Sequence, residues 1–190
     1  ISKKVLQCSK VMFNPINQYI NLFWPSDSRL SKDLQVRYRV LLYFHFYSLL
    51  VMTYSIVKWS KADYFTLVYS SAFGFIVILG CSLLVKLKVS PLIAANMTML
   101  GTYPHGMNMI FSLGGLNSAH IYWLPALVCI AYLLANRKSG IFWFCVALAS
   151  LCALIYFDRA DIVIWNQFEF TEAQKRLDTY SGYLLPLIII

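Results

Sequence analysis

The sequence predicts an all-α fold: a polytopic membrane helix bundle of about six transmembrane helices with a cytoplasmic N-terminus. The first observation is composition, because hydrophobic residues make up 59% of the 190 residues and charged residues only 13%, against about 45–50% and about 25% in soluble domains. The second is that the charges lie between long apolar runs, and these runs are close to the roughly 20 residues that cross a bilayer. A soluble domain of this size would not bury so many runs, so the sequence predicts lipid as the solvent.

The apolar runs place the helices in order along the chain. We predict spans at about 40–57, 64–85, 91–113, 120–135 and 141–157, and a sixth that begins near Gly182. Pro91 suits a first helical turn, where its missing N–H has no helical partner to lose. Pro104 and Pro125 fall inside the third and fourth spans and should kink them, which a bundle tolerates.

Two regions lie outside the predicted spans. Residues 1–39 form an N-terminal segment that we expect in the cytoplasm, with its interrupted apolar part at 11–24 on the membrane surface. Within the bundle region 40–190, the longest connection is an outer loop at 158–181, which suits either a lid or an interfacial helix. The first long apolar run starts too far along the chain for a cleavable leader, and the last run stops partway through a span. We therefore expect the chain to be one portion of a longer polypeptide.

The distribution of charge predicts the orientation. With the N-terminus inside, the inner segments carry eleven basic residues (Lys and Arg) and two acidic residues, whereas the outer loops carry five basic and six acidic residues. Cytoplasmic loops are enriched in Lys and Arg, so this orientation is favoured, and six helices return the chain to the cytoplasm. Although the formal net charge is +8, the scattered basic residues form no single face, which argues against nucleic acid as a partner.

The sequence lacks catalytic and cofactor motifs, such as a Gly-rich phosphate loop or His-Glu-x-x-His. Its three His and five Cys show no metal-ligand spacing, so we expect neither metal nor cofactor, and His45 is predicted to be a core or interface residue. The five complete predicted spans contain no Asp, Glu, Lys or Arg, which argues against an ion-coupled carrier. The segment itself is not predicted to be an enzyme.

The third predicted span has a polar face. Thr98, Gly101, His105, Asn108 and Ser112 recur at spacings of three, four, three and four residues, which places them on one side of a helix. Such a face is typical of a helix–helix seam. It also suits the wall of a pocket that opens outward, and the sequence leaves both interpretations open. An intramembrane ionisable residue marks a functional site by default, which makes His105 the strongest candidate.

The uncharged turn Gly114–His120 extends the candidate pocket. Its glycines allow the backbone angles of a tight turn, and the turn would then close over the polar face together with Trp123. An interfacial aromatic belt is the alternative for Trp123. The predicted ligand-binding residues are His105, Asn108, Ser112, Asn117, Ser118, His120 and Trp123.

Three short motifs carry a resemblance to a known family. They are Gly114-Gly115-x-Asn117-Ser118, then Trp123 and Pro125, then Asn136-Arg137-Lys138-x-Gly140. Together they resemble the six-helix input modules of bacterial signalling proteins, which precede histidine kinase, diguanylate cyclase or adenylate cyclase domains. The close match covers about 30 residues.

The resemblance implies a multi-pass sensor of the bacterial inner membrane, as in a two-component system. Such a module would detect a small amphipathic ligand or a state of the membrane lipid and signal through its last helix. The effector would be a histidine kinase or a nucleotide cyclase that works as a homodimer. Two other function classes stay open, namely a small transporter or channel, and a membrane-embedded enzyme or subunit of a larger complex.

Overall fold

A computed structural model of the chain describes residues 15–25, 30–160, 176, 178–180 and 182. Its elements are α1 (15–23), α2 (Lys32–Ser60), α3 (Phe65–Lys86), α4 (Pro91–Ser112), two 3-10 helices (Gly115–Asn117 and Ala119–Tyr122), α5 (Trp123–Leu134) and α6 (Arg137–Arg159). Residues 176, 178–180 and 182 are helical as well and are called the C-terminal segment below. These described residues contain no strand, so the predicted all-α class is confirmed.

Three helices, α2, α3 and α6, are long and apolar enough to cross a membrane. Helix α4 has 22 residues but carries the polar face predicted for the third span. The apolar stretch Ala119–Leu134 is shorter. The number of six spans, the sixth helix and the cytoplasmic N-terminus therefore stay predictions.

Helix boundaries differ from the predicted spans where polar capping residues, rather than apolar runs, define the helix. Helix α2 begins eight residues before the predicted span because the Ser31 hydroxyl accepts a hydrogen bond from the Leu34 amide at 3.3 Å. Helix α6 begins at Arg137 because Asn136 accepts from the Ser139 amide at 2.8 Å. Side-chain oxygens of Ser and Asn satisfy amides that otherwise lack helical partners. The described residues thus extend helical structure into the predicted N-terminal segment, 1–39, and into the predicted outer loop, 158–181.

The predicted kink at Pro125 is not what the structure shows. Residues Ala119–Tyr122 form their own 3-10 helix, so α5 begins at Trp123 and Pro125 lies in its first turn. A proline there removes no intrahelical hydrogen bond. Pro104 does lie inside α4, as predicted.

Short turns join consecutive helices and make them antiparallel. Helices α2 and α3 both end in a Schellman motif, with Asp63 at φ 54° and Lys88 at φ 63°. In the first, the Tyr64 amide donates to the Trp59 carbonyl at 3.0 Å and the Asp63 amide donates to Ser60 at 3.3 Å, the two bonds that define the motif. After α4, the left-handed residue is Gly114 at φ 111°.

Glycines bring neighbouring helices into close contact. A Cβ added at Gly101 of α4 would lie 2.5 Å from Cγ1 of Val77 on α3, and one added at Gly140 of α6 would lie 2.8 Å from Cβ of Tyr132 on α5. Only a residue without a side chain permits such approach. Gly101, which the sequence placed on the polar face, therefore serves the α3–α4 seam.

The bundle is apolar on its outside and partly polar inside. The buried polar residues of α2, α3 and α4 are Ser and Thr hydroxyls together with His45 and His105. The outward side chains are large and apolar, including Leu50, Phe73, Ile76, Leu83, Leu100, Phe142, Phe144 and Leu148. Water would be a poor solvent for such a surface, whereas hydrocarbon tails match it. The surface thus agrees with the three membrane-length helices.

Charged residues are unequal at the two ends of the bundle. The end where α2, α4 and α6 start, here called the basic end, carries in the described chain Lys32, Arg37, Arg39, Lys86, Lys88, Arg137 and Lys138 against Asp33. The opposite end carries Lys58, Lys61, Arg159 and Arg176 against Asp63, Asp158 and Asp178. The hydroxyl of Tyr38 donates to the Val89 carbonyl at 3.1 Å, which ties α2 to the α3–α4 turn at the basic end.

Candidate functional site

The described residues enclose a cavity of about 60 Å³ between α2, α4 and α5. A single water needs about 10–15 Å³ by the same measure, so the space fits roughly four to six water-sized groups. Its wall is mainly apolar, with aromatic rings from Phe44, Tyr54, Trp59 and Trp123. The polar wall residues are Ser48, Ser55, Lys58, Thr102, His105 and His120. A concave, largely apolar space with a few polar groups is typical of a small-molecule site.

A buried ion pair lies at the edge of this cavity. Lys58 Nζ donates to Asp178 Oδ1 at 2.6 Å, and the two side chains are only 14% and 10% exposed. Lys58 Nζ also lies 4.3 Å from the ring centroid of Trp59, within the range of a cation–π contact. Helix α2 continues past the predicted end of the first span and therefore carries Lys58 to the cavity wall.

Asp178 also connects the C-terminal segment to the 3-10 turn. Its Oδ2 lies 3.7 Å from Nδ1 of His120, a side chain that is 1% exposed. The hydroxyl of Ser118 accepts from the His120 amide at 3.2 Å and fixes the backbone of this turn. A Cβ added at Gly182 would lie 2.7 Å from Cβ of Ala119. The C-terminal segment is therefore held against the wall of the cavity.

His105 lies where the cavity meets the α3–α4 seam. Its Nδ1 is 3.0 Å from the hydroxyl of Ser70 on α3. The side-chain amide of Asn108 donates to the same hydroxyl at 2.9 Å and to the Thr66 carbonyl at 3.2 Å, and Ser112 is 3.4 Å from Asn108 Oδ1. Both interpretations of the polar face thus apply, because His105 lines the cavity while Asn108 bonds to α3 across the seam and Ser112 contacts Asn108 on the same helix.

The structure brings together three of the seven predicted ligand-binding residues. His105, His120 and Trp123 line the cavity. Ser118 is buried and caps the 3-10 helix Ala119–Tyr122. Asn117 is exposed and ends the preceding 3-10 helix, Gly115–Asn117. Whether any of them binds a ligand stays a prediction.

Sequence reasoning assigned neither Lys58 nor Asp178 to the site. Lys58 follows directly after an apolar run and was counted with the outer loop, and Asp178 lies in the region expected to be a loop. A signal existed for Lys58, because Ser48, Ser55 and Lys58 are seven and three residues apart and so share a helical face. No comparable signal existed for Asp178, whose partner is 120 residues away.

A second polar cluster lies nearer the basic end and involves no cavity residue. His45 is fully buried, with Nδ1 2.9 Å from the Ser82 hydroxyl and Nε2 2.8 Å from that of Thr98. This matches the prediction that His45 is a core or interface residue. Tyr19 of α1 reaches the Ser82 hydroxyl at 2.5 Å, and burial raises its pKa although this hydrogen bond acts in the opposite sense.

The chemistry available at the cavity comes from the few polar side chains on its wall. Among the described residues, no group of three His, Cys, Asp or Glu side chains is placed to hold a metal ion. What the arrangement offers is one ammonium group, imidazole rings and hydroxyls on an apolar wall. Comparison of the chain with protein-family models, with curated proteins and with solved structures finds no match.

Proposed function

We propose that this chain is a membrane sensor module, in which occupancy of the cavity changes how the C-terminal segment is held. One observation carries the proposal: Lys58 lines the cavity and at the same time binds Asp178 of that segment. A molecule that enters the cavity meets the side chain that anchors the segment. The cavity and the C-terminal segment are therefore coupled through one side chain.

The proposed topology is six spans with the N-terminus inside. In support, the polar groups of α4 have partners within the bundle, for example Asn96, which accepts from Trp143 Nε1 at 3.0 Å and donates to Ser139 at 3.0 Å. Internal satisfaction of polar groups is what a lipid environment demands. Helix α4 is about 33 Å long by its residue count, and Ala119–Leu134 about 26 Å, against a hydrocarbon thickness of about 30 Å. Local thinning or tilt accommodates the shorter one.

The orientation rests on the unequal ends of the bundle. Cytoplasmic ends of membrane helices are enriched in Lys and Arg, and the basic end carries seven basic residues against one acidic residue among the described positions. The cavity and the Lys58–Asp178 pair then lie toward the outer side. A sixth span that starts at the C-terminal segment would carry the change inward across the membrane.

Signalling in this proposal is a shift between two packings of the bundle. In one packing Asp178 binds Lys58, and in the other the C-terminal segment is released or displaced. A ligand shifts this equilibrium only by its difference in affinity for the two states, and a shift from 1:99 to 99:1 needs about 5.5 kcal/mol. Loss of one partner of a buried ion pair costs about 3–5 kcal/mol, so a change at the Lys58–Asp178 pair supplies a large part of this energy.

The remaining parts of the proposal rest on the resemblance of the three motifs to six-helix input modules. It suggests a bacterial inner membrane, a homodimer and a cytoplasmic histidine kinase or nucleotide cyclase as effector. Two of the motif residues have a defined structural role: Gly114 adopts the left-handed conformation in the turn after α4, and Asn136 caps the start of α6.

The experiment that tests the coupling fills the cavity without touching the ion pair. Gly106 lines the cavity, and a Cβ there meets only Leu127 Cδ1 at 3.6 Å, so Gly106→Leu places an apolar side chain in the space. The matched control is Gly80→Leu on α3, where an added Cβ meets nothing within 4 Å. The Leu side chain takes up the space of an occupant and presses on the cavity wall, at a cost of about 1–3 kcal/mol, which release of the C-terminal segment would relieve.

The readout is amide hydrogen exchange of residues 176–182 in the full chain, reconstituted in lipid nanodiscs. We expect Gly106→Leu to accelerate exchange there at least about fivefold, the factor that corresponds to roughly 1 kcal/mol, and Gly80→Leu to leave it unchanged. Equal exchange in the two variants would mean that the cavity and the segment are independent, and the sensor proposal would be abandoned.

A further inference from the structure

The charge at the cavity identifies the chemical class of the occupant. We propose that the cavity binds a short amphipathic monocarboxylate, whose carboxylate takes the place of Asp178 on Lys58 and so releases the C-terminal segment. This inference rests on the proposed function, because it names the ligand class of the same site. It goes further in stating which protein contact the ligand replaces.

Geometry provides the first step. Among the described residues that line the cavity, Lys58 is the one with a permanent charge, whereas Asp178 approaches Lys58 from the C-terminal segment at 2.6 Å. The ammonium group has three donors, and its side chain is 14% exposed. A carboxylate inside the cavity can therefore reach the same nitrogen that Asp178 uses.

Charge balance provides the second step. If a neutral molecule displaced Asp178, the Lys58 ammonium would be left in a nearly dry site without a counter-ion, which is strongly unfavourable. A cationic molecule would add a second positive charge beside Lys58 and the imidazole of His120. A carboxylate exchanges one anion for another, so Lys58 stays paired while Asp178 moves to water with its segment. An anionic head therefore favours release of the segment more strongly than a neutral or a cationic head does.

Shape and polarity provide the third step. The cavity wall also carries aromatic and aliphatic side chains such as Phe44, Trp123 and Leu127, which suit a hydrocarbon chain or a ring. The volume of about 60 Å³ limits the buried part to a short chain, on the order of four to six heavy atoms. The hydroxyl of Ser55, which lies three residues before Lys58 on the same face of α2 and also lines the cavity, provides a further donor for a carboxylate oxygen.

The test compares three six-carbon probes that differ in their head group: hexanoate, 1-hexanol and hexylammonium. The full chain is reconstituted in phosphatidylcholine nanodiscs, and empty nanodiscs correct for partition into lipid. Binding is measured by calorimetric titration, and release by hydrogen exchange of residues 176–182. We expect hexanoate to bind at least about tenfold more tightly than either of the other two probes. We also expect it to accelerate hydrogen exchange of residues 176–182 at least about tenfold.

Two variants test the competition between hexanoate and Asp178 for Lys58, one at Asp178 and one at Lys58. Asp178→Asn removes the internal competitor, and we expect it to bind hexanoate about tenfold more tightly. Lys58→Met removes the shared partner and should abolish the preference for hexanoate, whereas Lys61→Met, in the exposed turn after α2, should bind as the unaltered chain does. Circular dichroism verifies that each variant is helical. Asp178→Asn keeps the test decisive even where Lys58→Met fails to fold.

Failure of this inference and failure of the sensor proposal are distinguishable. If hexanol matches hexanoate, or if Asp178→Asn binds hexanoate no more tightly, carboxylate competition is refuted while the effect of Gly106→Leu can still support cavity coupling. If hexanoate binds without any change in exchange, release by competition is likewise refuted. If Gly106→Leu has no effect either, the sensor proposal itself is refuted.

Discussion

The buried pair between Lys58 and Asp178 can be tested by a double-mutant cycle. Lys58→Met retains most of the apolar stem and removes the charge, Asp178→Leu removes the carboxylate, and the double variant removes both. The distance of 2.6 Å and the side-chain exposures of 14% and 10% place this pair among the buried ones. Removal of one partner of such a pair costs about 3–5 kcal/mol, whereas replacement of both by apolar residues is often close to neutral.

The structure favours the lower end of this range for Lys58→Met. Asp178 keeps a neighbour in His120, with Oδ2 3.7 Å from Nδ1, so its carboxylate retains a polar contact when Lys58 is replaced. We therefore expect about 3 kcal/mol for this variant, equivalent to an increase of about two powers of ten in the opening equilibrium of the C-terminal segment. The double variant should recover most of the loss, which gives a coupling energy of about 2 kcal/mol or more.

The assay is hydrogen exchange of residues 176–182 in nanodiscs, with thermal unfolding followed in parallel. The chain offers a matched control, because Arg37 and Asp33 pair at 3.0 Å on the surface of α2 with exposures of 50% and 75%. An exposed i,i+4 pair couples by about 0.3–0.5 kcal/mol. A Lys58–Asp178 coupling no larger than that of the control would refute the idea that this pair anchors the segment.

Three further outcomes test the fold. Gly101→Ala should lower thermal stability, because overpacking against the stiff β-branched side chain of Val77 costs about 1–3 kcal/mol. Gly80→Ala should raise stability by about 0.5–1 kcal/mol, the difference in helix propensity between Gly and Ala. Equal shifts of the unfolding temperature in the two variants would contradict the close α3–α4 contact. Asp63→Gly should be more stable than Asp63→Val by about 1–2 kcal/mol, because the left-handed backbone conformation at this position is unfavourable for a β-branched residue. The reverse order of unfolding temperatures would refute the Schellman geometry. In cysteine-free protein in cells, a maleimide that cannot cross membranes should label Asn117→Cys directly and Lys138→Cys only after permeabilisation, and the opposite pattern would invert the proposed orientation.

Local chemistry explains why most helices could be predicted from the sequence. The predicted spans at 64–85 and 91–113 match α3 and α4 to within one residue at each end, because an apolar run bounded by Lys, Pro or Gly has few other structures available to it. The predicted spans at 40–57 and 141–157 lie inside longer helices, since polar caps at Ser31 and Asn136 extend helical structure beyond the apolar run.

The candidate site was only partly predictable. Helical periodicity placed His105 and Asn108 on one face, but it could not separate the residue that faces the cavity from the one that completes the α3–α4 seam. Both residues reach Ser70 on the neighbouring helix, and they differ because His105 also lines the cavity that α2 and α5 complete. Lys58 and Asp178 were missed because a pair separated by 120 residues leaves no pattern in a single sequence.

By itself, the sequence determined the all-helical class, the position of most helices and the unequal charge at their ends, because these follow from solvation and hydrogen bonding of each segment alone. Tertiary structure alone decided that a cavity lies between α2, α4 and α5 and that Lys58 at its wall binds Asp178. These features depend on how α2, α4 and α5 pack around the cavity and on which distant side chains then meet. Solvation acts on each segment separately, whereas a binding site is made by contacts between segments.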